Sequence, residues 1–158
     1  IIGINWQGSK KIEERSYKGR SIPLDKFAKI VQENDISFIS FQKGFGSEQM
    51  ETCAFKENFV SCQDQIDEIW DYSETAAILD NCDLLITNDC SIGPLAAGIG
   101  KKVWLLLRDI PFWYWGLQGE KTFWYPTMRL FRQKEIHNWD EVIERVSNQL
   151  TLEMNNMK

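Results

Sequence analysis

The sequence predicts an α/β domain built on a parallel β-sheet. Segments such as 83–87 and 102–107 are short and almost continuously apolar, which is typical of strands buried on both faces. Segments with apolar residues at helical spacing alternate with them along the chain. This alternation indicates a parallel sheet with helices on both faces. Right-handed crossovers then give a doubly wound, Rossmann-like fold.

The strands of this sheet are predicted from their apolar runs. In chain order they are residues 1–6, 36–41, 83–87, 102–107 and 128–131, with a shorter candidate at 59–62. The polar, glycine-containing segments 7–20 and 44–49 are predicted to be loops. A chain of 158 residues leaves room for one domain. We place that domain at residues 1–150 and expect residues 151–158 to form a frayed tail.

The helices are predicted from apolar spacing and from their end signals. The first follows Pro23, which suits a first helical turn, and the stretch before Lys56 is a candidate for a short helix. Ser73 is the expected N-cap of a second helix that ends near Cys82. The remaining helices are predicted at 92–99, before Gly100, and at 139–150, where Asn138 and Glu141 form a capping pattern.

Composition excludes several classes of function. The net charge of −5 gives no support for a nucleic-acid partner, which normally needs a basic face. No apolar run approaches the length of a membrane span. The four cysteines form no C-x-x-C pair and the one histidine lies far from them, so no metal site is expected. We expect reduced thiols, a cytoplasmic location, and a segment cut from a longer protein.

The loops at the carboxyl ends of the strands are the expected ligand site, because doubly wound sheets bind ligands there. These loops are 7–20, 42–49, 88–91 and 108–118. In the run TNDCSIG, Asp89 could accept hydrogen bonds from sugar hydroxyls, while the backbone N–H groups of Cys90 and Ser91 could hold a phosphate. The alternative is that Asp89 or Ser91 only caps the following helix.

The basic loop 7–20 is a candidate diphosphate clamp. Gly8 and Ser9 follow the first strand, where the backbone can approach a ligand closely. Arg20 is the preferred phosphate ligand, because its planar guanidinium suits phosphate and it lies just before a helix start. The alternative is a solvated basic loop. No Walker loop is present, since the chain lacks G-x-x-x-x-G-K.

Two further loops add weaker candidates. Lys43 could reach a phosphate and Gln42 could bond a base or ribose, although both also suit an ordinary polar strand end. Residues 112–126 are rich in aromatics, of which Trp113 and Trp115 could stack on a nucleobase or sugar ring. The alternative is an apolar lid on the edge of the domain. Neither a catalytic triad nor a G-x-G-x-x-G fingerprint can be read from the chain.

Several segments together resemble one family. The run DYSETAAILDNCDLLITNDCSIGPLAAGIGKKVWLLL is similar to the donor side of bacterial heptosyltransferase-like enzymes, glycosyltransferase family nine, above all those fused to tetratricopeptide repeats. The segment FWYPTMRLFRQ is similar to their W-Y-P-S-M-R-L-F-R-Q, and INWQGSK, GRSIPL and FISFQKG also match that group. The resemblance covers nearly all of residues 1–150.

The resemblance implies one half of a GT-B architecture, in which two Rossmann-like domains face each other. This half would bind a nucleotide-diphosphate sugar as substrate, without metal or other cofactor. Its implied partners are an amino-terminal acceptor domain, expected to supply the general base, or tetratricopeptide repeats, so that the fragment alone is inactive. Asp89 matches the family Asp that faces the donor sugar, and Arg20 and Lys43 fall in loops that contact diphosphate or nucleotide.

Two positions depart from the family pattern. Cys90 replaces the usual Thr at the pyrophosphate, and Pro94 stands where the family often has His. Both changes remove a polar contact and so weaken or alter donor recognition. Two alternatives to the transferase therefore stay open. One is a degenerate, non-catalytic module that binds a nucleotide or a protein, and the other is a nucleotide-sugar epimerase of the same architecture.

Overall fold

The computed structural model describes residues 1–15, 17–33 and 36–156 and confirms the predicted fold class. Five parallel strands form one sheet in the order β2-β1-β3-β4-β5. The strands are β1 Ile2–Asn5, β2 Phe38–Ser40, β3 Leu84–Asn88, β4 Val103–Leu107 and β5 Met128–Arg132. Every one of these strands lies inside or within one residue of its predicted segment.

Seven α-helices are described beside the sheet. They are α1 Lys10–Arg15, α2 Ala28–Glu33, α3 Gln49–Thr52, α4 Gln63–Asp67, α5 Tyr72–Asp80, α6 Ile92–Gly98 and α7 Trp139–Asn156. A 3₁₀ turn at Leu24–Phe27 leads directly into α2, so the helix predicted after Pro23 is confirmed. No helix in the described ranges is long and apolar enough to cross a membrane.

The two faces of the sheet carry separate cores. Alternate residues of a strand point to opposite faces. Ile4, Ile86 and Trp104 therefore belong to the core that α2 and α7 cover. Leu85 and Leu105 belong to the other core, which α5 and α6 cover. Burial on both faces explains why the central strands read as continuous apolar runs.

The strand predicted at 59–62 is wrong. Phe59 forms only an isolated bridge with Phe38. Beyond that bridge, the side chain of Gln63 occupies the edge of β2. Its amide accepts from Ser40 N at 2.8 Å and donates to Ser40 O at 3.0 Å. This amide supplies the two hydrogen bonds that a sixth strand would make, and Gln63 itself begins α4.

Three predicted ends or loops also differ from the structure. Residues 10–15, predicted as loop, form α1. Asp71, not Ser73, caps α5, since its carboxylate accepts from Ser73 N at 2.6 Å and from Glu74 N at 3.1 Å. These bonds hold the pKa of Asp71 below its usual range. Helix α7 continues past residue 150 to Asn156, where Glu153 pairs with Lys102, and residues 157 and 158 lie outside the described ranges.

The topology places a crevice at the carboxyl ends of β1 and β3. The chain leaves β1 toward β2 on one side, and it builds β4 and β5 on the other side of β3. Such a switch point is where doubly wound sheets bind ligands. The crossover from β4 to β5 begins at this edge, because it leaves the carboxyl end of β4. Residues 108–127, all described, contain a 3₁₀ turn at Trp113–Trp115 in place of the usual crossover helix.

Candidate functional site

A cleft of about 320 Å³ opens at this switch point. Three of the four predicted ligand loops meet there. The basic loop contributes Ile12, Tyr17 and Arg20, the turn after β3 contributes Asp89, Cys90 and Ser91, and the aromatic crossover contributes Phe112 and Tyr114. Its volume lies at the lower end of the range of about 300–1,000 Å³ that is typical of small-molecule sites.

Asp89 is the point where the three loops are joined. Its carboxylate accepts from the Tyr17 hydroxyl at 2.7 Å and from the Trp115 indole N–H at 2.9 Å. Its backbone carbonyl accepts from Arg20 Nη1 at 3.0 Å. Asp89 is buried, and each carboxylate oxygen already has a protein donor. In this state its carboxylate holds the cleft together and has limited capacity for a sugar hydroxyl.

Arg20 carries a buried positive charge without an acidic partner. Only 8% of the residue is exposed. Among the described residues it takes part in no ion pair, and its Nε has no hydrogen-bond partner. A buried charge is costly unless it is paired. The cleft therefore holds a guanidinium without a direct ion-pair partner, although the Asp89 carboxylate lines the same cleft.

Gly8 makes this position of Arg20 possible. A Cβ atom at residue 8 would lie 2.4 Å from Arg20 Nη2 and 2.5 Å from its Cζ, which is too close for any side chain. The Ser9 carbonyl accepts from Arg20 Nη2 at 3.4 Å. Both residues lie against Arg20 and neither lines the cleft, so the close approach of their backbone to a ligand stays a prediction.

Tyr17 lies between two guanidinium groups and the aromatic crossover. Arg20 Cζ is 5.4 Å and Arg108 Cζ 5.3 Å from its ring centroid, which are cation–π distances. The Phe112 ring meets it edge-on at 6.1 Å. Burial and the neighbouring Asp89 carboxylate raise the pKa of Tyr17 far above its usual value, so the hydroxyl remains a donor.

Two buried asparagines fix the strand ends beneath the cleft. Asn5 Nδ2, at the end of β1, donates to Asn88 Oδ1 at 3.1 Å and to Cys90 Sγ at 3.2 Å. Asn88 Nδ2 donates in turn to the Arg20 carbonyl at 3.2 Å. Neither residue was predicted from the sequence. The signal was available, because each is a polar amide at the end of a buried strand facing the ligand edge.

Cys90 and Ser91 occupy the turn before α6. Burial raises the pKa of the Cys90 thiol, which also lies 3.3 Å from Thr87 Oγ1. Ser91 is exposed, and its hydroxyl lies 3.4 Å from the Tyr72 hydroxyl. Helix α6 has seven residues, and Ser91 forms no capping bond from its side chain. The alternative that Asp89 or Ser91 serves as a side-chain cap is therefore not realised.

Gln42 and Lys43 lie outside the cleft. Gln42 Oε1 accepts from Gln7 N at 2.8 Å, and its Nε2 donates to Phe45 O at 2.8 Å, so the amide joins two loops. Lys43 Nζ donates to the Ile66 carbonyl and lies 3.7 Å from the Asp67 carboxylate. Burial lowers the pKa of Lys43. Both side chains support the structure around β2.

The two tryptophans chosen as stacking candidates have other positions. Trp113 is 77% exposed, whereas Trp115 is buried against Asp89, and neither lines the cleft. The aromatic wall consists of Phe112 and Tyr114 instead. Burial, followed by the Asp89 charge, raises the pKa of Tyr114 to about 12. The spacing of the four aromatic residues at 112–115 could not predict which of their rings line the cleft, because the turn that orients them has no regular period.

Comparison of the chain with protein-family models, with curated proteins and with solved structures finds no match. The resemblance to family nine glycosyltransferases therefore stays a prediction that rests on the segments quoted above. The function has to be argued from the cleft itself.

Proposed function

We propose that this chain binds a nucleotide-diphosphate sugar in the cleft, as the donor-binding domain of a metal-independent inverting glycosyltransferase. The observation that carries the proposal is Arg20, a buried guanidinium with no carboxylate partner among the described residues, in the wall of a cleft at the switch point. A diphosphate supplies the ion-pair partner that Arg20 lacks among the described residues. The planar fork of an arginine also matches phosphate oxygens well.

The surroundings of Arg20 suit the rest of such a ligand. The rings of Phe112 and Tyr114 provide an apolar wall for a nucleobase or sugar ring. During transfer, negative charge grows on the departing diphosphate. A fixed guanidinium stabilises that charge without a metal ion. We expect the acceptor and the general base to come from another domain, so the fragment binds the donor without transferring its sugar.

One observation favours a second candidate, a non-catalytic binding module. Both carboxylate oxygens of Asp89 are occupied by Tyr17 and Trp115. In that arrangement the residue expected to face the donor sugar serves the structure of the cleft. A module of this kind would recognise the diphosphate through Arg20 and gain little from the sugar.

Calorimetric titration with UDP, GDP, ADP, CMP, their sugar conjugates and pyrophosphate tests the proposal. Saturable binding of a nucleoside diphosphate is expected, and Arg20→Gln should weaken it at least about tenfold, since a bond to a charged group contributes about 1.5–3 kcal/mol. Arg15→Gln is the matched control, because Arg15 is exposed in α1 of the same loop. A sugar conjugate that binds no better than its nucleoside diphosphate favours the module.

Two results would overturn the proposal. One is the absence of saturable binding by the wild-type protein at millimolar ligand. The other is an Arg20→Gln variant that stays folded and binds as tightly as the wild type.

A further inference from the structure

Arg132, the last residue of β5, gathers the carbonyl groups of the aromatic crossover. Its Nη2 donates to Trp115 O at 2.7 Å and its Nη1 to Gly116 O at 2.9 Å. Its Nε donates to Gly119 O at 2.8 Å, and Nη2 also reaches Gln118 O at 3.3 Å. Four carbonyls of one short segment thus converge on a single guanidinium.

Two glycines produce this convergence. Gly116 has φ 65° and Gly119 has φ 82°, a left-handed backbone that side chains disfavour. A Cβ atom at either position would meet nothing within 4 Å, so the need for glycine is conformational and not steric. The sequence GLQG therefore encodes a loop whose carbonyls turn inward.

Among the described residues, the hydrogen-bond partners of the Arg132 guanidinium are these backbone carbonyls. Within the part of the chain that the structure describes, Arg132 takes part in no ion pair. Partial burial lowers its pKa. A guanidinium whose N–H groups donate to backbone carbonyls holds that backbone in place. Arg132 therefore orders the crossover, which contains no α-helix in its described residues 108–127.

The ordered segment ends at the cleft. Trp115 gives its carbonyl to Arg132 and its indole N–H to Asp89, so one residue connects the end of β5 to the end of β3. Phe112 and Tyr114, which form the aromatic wall, lie in the same turn, and the Tyr114 and Trp115 ring centroids are 4.4 Å apart. A shift of Trp115 is therefore expected to displace this wall.

We propose that Arg132 is a positioning residue that sets the aromatic wall of the cleft and thereby its preference for a ligand with a ring beside the diphosphate. This inference rests on the proposed function for the ligand class. Arg20 binds the diphosphate, and the Phe112–Tyr114 wall adds contact with the nucleoside. Through Trp115, Arg132 controls the contact of the wall with the nucleoside. It leaves the binding of the diphosphate by Arg20 nearly unchanged.

The test compares pyrophosphate with a nucleoside diphosphate in the Arg132→Gln variant. The nucleoside diphosphate should lose about tenfold in affinity, within the range of one lost base–aromatic contact. Pyrophosphate affinity should change less than about threefold, and Arg132→Lys should recover part of the loss. A general loss of structure would weaken both ligands alike. Lys134→Gln is the control, since Lys134 lies just after the same strand and its exposed side chain pairs with Glu141 of α7, outside the crossover.

A second readout needs no ligand. Hydrogen exchange of the Trp115 indole N–H, assigned by NMR with Trp115→Phe, should quicken at least about tenfold in Arg132→Gln as the hydrogen bond to Asp89 opens more often. If Arg132→Gln does not fold, Gly116→Ala replaces it, because it strains the loop without touching the guanidinium. Gly116→Ala should show the same change in a smaller degree.

The outcomes separate the two proposals. A wild-type protein that binds neither ligand overturns the proposed function, and Trp115 exchange then decides whether Arg132 orders the wall. Binding by the wild type, with unchanged Trp115 exchange and unchanged ligand preference in both variants, overturns the role of Arg132 alone.

Discussion

The indole Nε1 of Trp115 donates to Asp89 Oδ1 at 2.9 Å and thereby joins the aromatic crossover to the end of the central strand β3. The two residues are 26 positions apart in the sequence. Because Asp89 also holds Tyr17 and Arg20, this one bond helps to define the cleft on three sides.

Replacing the indole donor should destabilise the protein. Trp115→Phe leaves the buried Asp89 carboxylate with one protein donor fewer, which should lower the free energy of unfolding by about 2 kcal/mol. Urea denaturation measures the change. Trp113→Phe is the matched control, because Trp113 is 77% exposed. It should stay within about 0.5 kcal/mol of the wild type. Equal effects of the two substitutions would contradict the role of Trp115.

The stabilising effect of Tyr17 should depend on pH. Its hydroxyl donates to Asp89, so Tyr17→Phe should cost about 1.5 kcal/mol near neutral pH. Burial and Asp89 raise the pKa of Tyr17 in the folded protein above the ordinary value of 10.0. Above about pH 10 the unfolded chain releases this proton while the folded protein retains it, and the advantage over Tyr17→Phe shrinks by about 1.4 kcal/mol per pH unit.

Unfolding curves of both proteins at about pH 7 and pH 11 measure this dependence. The other tyrosines and the lysines ionise in both proteins. Their effect on the free energy of unfolding therefore largely cancels in the difference between the wild type and Tyr17→Phe. A difference that stays constant between the two pH values would show that Tyr17 is not held protonated in the folded state.

Gly8→Ala should impair ligand binding through Arg20. The new Cβ atom would lie 2.4 Å from Arg20 Nη2, so the guanidinium must move. We expect at least about a tenfold loss of nucleoside diphosphate affinity, as for loss of the arginine contact itself. Gly98→Ala serves for comparison, because it lies in α6 with open space around it and should leave affinity unchanged. Unaltered binding by Gly8→Ala would mean that Arg20 need not occupy its buried position.

The cysteines should differ sharply in reactivity. Burial raises the pKa of Cys90, and it raises that of Cys82 to about 11, whereas Cys62 is exposed. A raised pKa leaves less thiolate at a given pH, so Cys62 should react first with iodoacetamide. At about pH 8 only about a thousandth of Cys82 is thiolate. Peptide mass spectrometry follows the order, and labelling of Cys90 as fast as Cys62 would show that the turn after β3 opens readily.

The sequence was sufficient for the sheet and for the place of the ligand edge. Continuous apolar runs such as those of β3 and β4 report burial on both faces, and parallel strands bring their following loops together. Arg20 and Asp89 could therefore be chosen before the structure was known. That these two residues meet at one edge of the sheet follows from this coarse topology.

Several of the details that the sequence did not predict depend on side chains that replace backbone interactions. Gln63 occupies the edge of β2 where a strand was expected at 59–62. Gln42 was a candidate for contact with a base or ribose, with an ordinary polar strand end as the alternative, and its side chain accepts from the backbone N–H groups of residues 6 and 7. Arg132 orders a crossover without a helix, so Phe112 and Tyr114, rather than Trp113 and Trp115, form the wall of the cleft. These amide and guanidinium contacts join residues that are far apart in the sequence, so no local pattern of residues predicts them.

The central claim is that Arg20 receives a diphosphate in this cleft. NMR titration of the protein with a nucleoside diphosphate, observing the Arg20 guanidinium together with the amides of residues 88–91, tests it most directly. The account predicts saturable shifts of both sets with one dissociation constant, and their loss in Arg20→Gln but not in Arg15→Gln. Saturable shifts confined to another surface, or no shift at millimolar ligand, would contradict it.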